Sequence, residues 1–170
     1  QLMQSARNMA TSDNQMARNA VVATMLCTMA LRREELSAAK WGDLTLTDGN
    51  VLLQIGGDAV PVPRNVLALI DRWRRAIISE SREPAASSPI VRRIWKGGRI
   101  AKDGLSPDGV WLIIRDAAKA AGQGHVTPDD LRRSAVAGMW QAGVPIEEIS
   151  RFLRHRNTLI TERFISKLNR

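Results

Sequence analysis

Between Gln15 and Leu31 apolar side chains crowd the chain too densely for a one-sided surface stripe, and the run AVVATMLCTMAL predicts a helix buried on most of its faces. Arg32 to Ala39 follows as a second, short helix after a turn. The period then changes. From Trp41 to Pro63 short runs, DLTL, VLLQI and AVPVP, are divided by Asp48-Gly49-Asn50 and Gly56-Gly57-Asp58. Gly and Asn tolerate the positive φ angles of tight turns, so this stretch predicts a small three-stranded antiparallel sheet. Helical spacing returns over Asn65 to Ser79, and the Ser/Pro/Ala-rich segment Ser81 to Pro89 reads as a loop.

The segment VRRIWKGGRIAKDGLSPDG is basic and glycine-rich, and is expected to form a surface loop. Ser106 is placed to cap a helix that reaches about Ala121, with Pro107 at the favoured first position. Thr127, followed by Pro128 and two aspartates, is a strong helix start: a capping hydroxyl, a proline that loses nothing there, and acids at the positive end of the dipole. Three helices are expected in succession, Pro128 to Gln141 ending at Gly143, Pro145 to Leu153, and Thr158 to the C-terminus. No repeat or low-complexity tract interrupts them. The expected class is α+β, mainly α, with one small sheet.

At 170 residues and 44% apolar content the chain suits one domain with a proper core, residues 1–170, and leaves little room for two. Twenty-five Lys plus Arg against 17 Asp plus Glu give a net charge of +8, which favours a polyanionic partner; a basic but unengaged surface is the plainer alternative. Aromatics are few, so duplex phosphate contact fits better than stacking on single-stranded bases. The single Cys27 excludes a disulfide framework and reads as a small buried thiol suited to a reducing cytoplasm. No stretch approaches the length of a membrane span. Histidines thirty residues apart give no metal-ligand spacing, and no cofactor is expected.

The most informative stretch is TPDDLRRSAVAGMWQAGVPIEEISRFLRHRNTLITERF, residues 127–164. It resembles the C-terminal half of the tyrosine recombinase (phage integrase) catalytic domain. There H-x-x-R opens a helix, L-G-H follows a second helix, and a nucleophilic Tyr stands nine residues beyond that His. Arg132 falls on the motif arginine, Asp129 on the first histidine, His155 on the second histidine and Phe164 on the tyrosine. Upstream, ALRREEL resembles G-L-R-x-x-E-L, with Arg32 on the first catalytic arginine, Glu35, a structural position, on the acid that follows it, and Ala30 in place of the usual Gly. Trp41 and Asp43, the AVPVP strand and the segment before Thr127 extend the likeness over nearly the whole chain.

The resemblance implies a phosphate cradle. Charge that develops on non-bridging oxygens is matched by forked guanidinium donors, the role implied for Arg32 and Arg132, while His155 would donate a hydrogen bond or shuttle a proton. Read without the family spacing, these arginines are solvated surface residues and His155 extends a basic patch. Arg133, Arg151, Arg154, His155 and Arg156 are expected on the DNA face, with Arg163 beside them.

Three departures bear on chemistry. Phe164 has no oxygen, and the chain contains no Tyr, so no phosphotyrosyl link can form there. Asp129 repels a phosphate where a histidine would donate to it. The family's lysine, in the turn between two strands, has no counterpart at Gly56-Gly57-Asp58. Ser134, Ser150, Thr158, Thr161 and Ser166 lie nearby, with nothing to activate them. Three functions remain open on these grounds: a double-stranded-DNA-binding recombinase domain that does not cleave, a regulatory or protein-interaction module on the same fold, or an active enzyme in which Phe164 is an engineered change. The family also implies self-association, or pairing with another recombinase, through the C-terminal segment. A start at Gln1 is read as a piece of a longer protein whose N-terminal core-binding domain is absent.

Overall fold

The computed structural model describes residues 1–8 and 12–169. Helix α1 (Leu2–Asn8) precedes the long α2 (Asp13–Met29), whose N-terminus is capped by the Ser12 hydroxyl. Eleven residues of α2 are buried, matching its all-round apolar sequence. It is the central helix of the fold and packs against α4 (Arg64–Glu80), α5 (Pro107–Ala120) and α6 (Pro128–Gln141). A short α3 (Arg33–Ala38) links it to the sheet.

Strands β1 (Leu44–Thr47), β2 (Asn50–Ile55) and β3 (Asp58–Pro61) form the expected antiparallel meander. Asp48 and Gly49 both take positive φ, the two-residue geometry that matches strand twist. The register pairs Leu44 with Leu53 and Leu53 with Val60, which directs Leu53 and Val60 into the core. Trp73 of α4 is fully buried and its indole N–H donates to the Ile90 carbonyl at 2.7 Å, so the largest core side chain leaves no polar atom unpaired.

The basic, glycine-rich segment expected to be a surface loop is instead a β-hairpin. Strands β4 (Arg92–Ile94) and β5 (Ile100–Gly104) pair across a Gly97-Gly98 turn, and Ile90, Val91 and Ala101 are buried under them. Helices α7 (Ile146–Leu153) and α8 (Thr158–Ile165), with a final 3-10 turn at Ser166–Asn169, complete the C-terminal third. They enclose a smaller apolar cluster of Ala30, Val136, Ile149, Leu153 and Ile165, against which Phe152 and Phe164 pack. Cys27 is half-buried, and burial raises its thiol pKa to about 11. Among the described residues no helix is long and apolar enough to cross a membrane.

Candidate functional site

The site is assembled around one carbonyl. Helix α2 stops at Met29 because Ala30 turns left-handed, with φ of 51°, and its fully buried carbonyl points away from the helix. That oxygen accepts from Arg132 Nε at 3.1 Å and from Arg154 Nη2 at 2.8 Å. Two guanidinium groups distant in sequence are thereby fixed at the end of one helix. Arg32 follows immediately and leads into α3, where the Glu35 carboxylate accepts the Arg32 backbone N–H at 2.7 Å.

Arg154 also turns left-handed, with φ of 59°, at the place of the glycine in L-G-H. Its side chain is only 3% exposed and meets Glu35 through two bonds of 2.7 Å, while Nη1 donates to the Phe152 carbonyl. Sequence reasoning placed Arg154 on the DNA face; the structure turns it inward. A carboxylate held at bidentate geometry in a largely enclosed site outcompetes solvent for a guanidinium. The Glu35 carboxyl lies below its usual range: burial alone would raise its pKa, but hydrogen bonds from Arg154 and the Arg32 N–H and both positive charges outweigh it.

Arg132 is buried at 4% exposure, and a second bond from Nη2 to the Leu153 carbonyl ties α6 to α7. Its Nη1 makes no hydrogen bond among the described residues. Burial, then the charges of Arg32 and Arg154, lowers its pKa to about 10. Beside it lies a cleft of about 470 Å³ lined by Arg32, Arg33, Asp129, Arg132, Arg133 and Lys167, among others. Several of these cations are already paired. Arg33 meets Glu34 and Asp108, and Arg133 meets Asp130 at 2.7 Å. Arg32 is 40% exposed, with only a 3.8 Å approach to Glu35, so its donors face the opening.

His155 and Phe164 stand behind Arg132. Their rings meet edge to face with centroids 5.4 Å apart, and the Phe164 ring lies 5.6 Å from the Arg132 guanidinium and 5.0 Å from that of Arg133. His155 Nδ1 is 2.8 Å from the buried Thr161 hydroxyl. Burial, followed by the charges of Arg132, Arg32 and Arg154, lowers the His155 pKa to about 4, so the ring is neutral at pH 7 and able to accept a proton only from a strong acid or beside an anion.

The structure therefore brings Arg32, Asp129, Arg132, Arg133, His155 and Phe164 into one neighbourhood. Arg151 lies apart, in a groove with Met139, Glu148 and the β2–β3 turn, and Arg156 is exposed on the turn before α8. Lys167 was missed by sequence reasoning. It lies in the 3-10 turn that continues α8 and lines the cleft, and no local motif signals that. Among the described residues no group of His, Cys, Asp and Glu is arranged to hold a metal.

The fold has counterparts among solved structures. Solved structures of the same shape include XerA recombinase, at TM-score 0.69 and 18% identity, covering 96% of this chain and 56% of that one. XerH site-specific recombinase, bound to palindromic difH substrate in a post-cleavage complex, gives TM-score 0.72 at 16% identity, covering 96% and 46%. In sequence, tyrosine recombinase XerA of Thermococcus onnurineus is 30% identical over 149 residues, 85% of this chain and 49% of that protein. XerA of Pyrococcus horikoshii is 27% identical over the same length and shares. The phage integrase family model matches residues 1–169, and the chain belongs to that family of tyrosine recombinases. It spans about half the length of the curated relatives it matches.

Proposed function

We propose that this domain seats a backbone phosphate of duplex DNA in the Arg32–Arg132 cleft and does not cleave it. The observation that carries the reading is the Arg132 guanidinium, fixed by two carbonyls with Nη1 uncommitted, beside an exposed Arg32 and against a Phe164 ring that bears no hydroxyl. Pre-fixed donors bind an oxyanion without reorganising, which is the physical basis of both recognition and transition-state stabilisation. Phe164 supplies the packing of an aromatic nucleophile without its oxygen. Asp129 adds a carboxylate to the cleft and weakens it further as a catalytic site. The net charge of +8 favours the polyanion at longer range. A second copy or an active recombinase on the same DNA would supply the missing nucleophile, and recombination or integration is the process the domain would serve.

Fluorescence anisotropy of a labelled duplex at two salt concentrations tests this directly, with unaltered protein and Arg32→Ala. Removing the Arg32 side chain leaves the backbone cap on Glu35 in place, so folding is preserved. Affinity is expected to fall with salt, and the variant to lose roughly one unit of the log–log salt slope, as for one phosphate contact. Binding indifferent to both salt and Arg32 would favour a protein-interaction module and overturn the proposal.

A further inference from the structure

A second cleft, of about 730 Å³, lies between the C-terminal end of α4 and the β4–β5 hairpin, and Arg92, Trp95, Arg99 and Lys102 contribute to its walls. Arg92 is the unusual member. Its side chain belongs to a residue 6% exposed, its Nε is buried without a hydrogen-bond partner, and no carboxylate lies within ion-pair distance among the described residues. The acids of the same cleft are otherwise engaged. Glu80 accepts from Asn14 Nδ2 at 2.6 Å and from the Ile100 N–H at 2.8 Å, and Asp103 faces Arg93 at 3.9 Å. A guanidinium cannot shed its charge at neutral pH, and leaving one of its N–H groups buried without a partner is costly. Burial does lower the Arg92 pKa, consistent with that cost.

We infer that this cleft binds a phosphate group, which Arg92 meets from within while Arg99 and Lys102 meet it from the rim. Three cations converging on one opening suit a terminal phosphate, with three acceptor oxygens and up to two charges, better than a carboxylate; a backbone phosphodiester, with one charge on two non-bridging oxygens, engages fewer of them. The volume falls within the usual range of ligand sites, and the half-exposed Trp95 gives the cleft an apolar wall. The site is separate from the Arg132 cleft. Arg18 of α2 donates to the Arg92 carbonyl, whereas Ala30 at the other end of that helix holds Arg132, and twelve residues of helix set the two about 18 Å apart. The phosphate has two possible sources, the backbone of a duplex running past the hairpin or a free phosphate compound.

The test is thermal unfolding of the whole chain in inorganic phosphate against chloride at matched ionic strength, with unaltered protein, Arg92→Met, the rim double variant Arg99→Ser/Lys102→Ser, and Arg132→Met. Phosphate in roughly tenfold excess over Kd should raise Tm of the unaltered protein by about 3–6 °C. Arg92→Met and the rim variant should each lose the larger part of that rise, and Arg132→Met only the share contributed by the Arg32–Arg132 cleft. A rise undiminished in both hairpin variants, or no rise in the unaltered protein, overturns the inference. Should Arg92→Met fail to fold, the exposed rim positions still decide. Duplex titration of the same variants identifies the source: loss of duplex affinity with Arg92→Met assigns the phosphate to DNA, and unchanged duplex affinity beside a lost phosphate effect assigns it to a free compound. Failure of the Arg32-dependent duplex binding proposed above would leave the phosphate result standing, so the two proposals fail separately.

Discussion

Replacing Arg154 separates two opposing contributions at one residue. Its side chain is 3% exposed, and its guanidinium makes two 2.7 Å bonds to Glu35 and donates to the Ala30 and Phe152 carbonyls. Removing one partner of such a buried pair costs about 3–5 kcal/mol, and the low end applies because Glu35 is 12% exposed and water can reach it. The backbone works the other way. At φ of 59° a side chain costs about 1 kcal/mol relative to glycine. Arg154→Ala should therefore lose about 3 kcal/mol, a Tm drop of about 6–12 °C for a domain of this size, and Arg154→Gly should recover about 1 kcal/mol of that loss. Urea unfolding followed by tryptophan fluorescence, to which buried Trp73 contributes, reads both values.

The pH dependence follows with a definite sign. The folded-state pKa of Glu35 lies below its ordinary 4.5, so its contribution is present above that value and is lost as pH falls through the folded pKa. Stability of the unaltered protein should decline in that acidic window more steeply than that of Arg154→Ala, which lacks the pair. An Arg154→Ala variant within 1 kcal/mol of the unaltered protein would refute the reasoning about the pair, taking about 1 kcal/mol as the threshold of a real effect. Equal stability of Arg154→Ala and Arg154→Gly would refute the reasoning about the backbone.

Other outcomes can be checked more briefly. In an NMR titration His155 should titrate near pH 4; because its folded pKa is depressed, its contribution to stability is complete above about 6.5 and is lost as pH falls toward 4. Its midpoint should move upward when duplex binds, since a phosphate favours the protonated ring, and an unmoved midpoint would count against a nearby phosphate. Asp129→Asn removes a carboxylate from the cleft and should tighten duplex binding by up to about fivefold in anisotropy titrations, as expected for an exposed charge; weaker binding would contradict its assignment as a repulsive group. Thr127→Ala breaks a reciprocal cap with Asp130, whose carboxyl is held down to about 2 by Arg133 and the Thr127 N–H, and should cost about 1 kcal/mol in urea unfolding.

Much of this fold was readable because its signals are local. Ser106-Pro107 and Thr127-Pro128 begin helices where their caps require, and Asp48-Gly49 makes the turn its φ tolerance permits. The β4–β5 hairpin escaped because β4 is three residues long, its pairing is irregular, and its Arg, Lys and Asp positions leave no run of alternating apolar residues in either strand. At the site, Arg32, Arg132 and His155 were visible through their spacing. What spacing could not convey was the direction of Arg154: in the string RHR it reads as solvent-facing charge, and only the approach of α3 to the α7 C-terminus makes it an internal strut. Left-handed Ala30 and Arg154 were equally hidden, since neither residue type announces that conformation.

The central claim is a phosphate cradle without a nucleophile, and covalent trapping on a nicked duplex measures it most directly. Denaturing gels should show no protein–DNA adduct for the unaltered chain at concentrations where anisotropy shows the duplex bound. Phe164→Tyr should yield an adduct at residue 164, increased when Asp129→His is added. An adduct formed by the unaltered chain would place a nucleophile elsewhere and contradict the account, as would a Phe164→Tyr/Asp129→His protein that binds the duplex and never becomes attached to it.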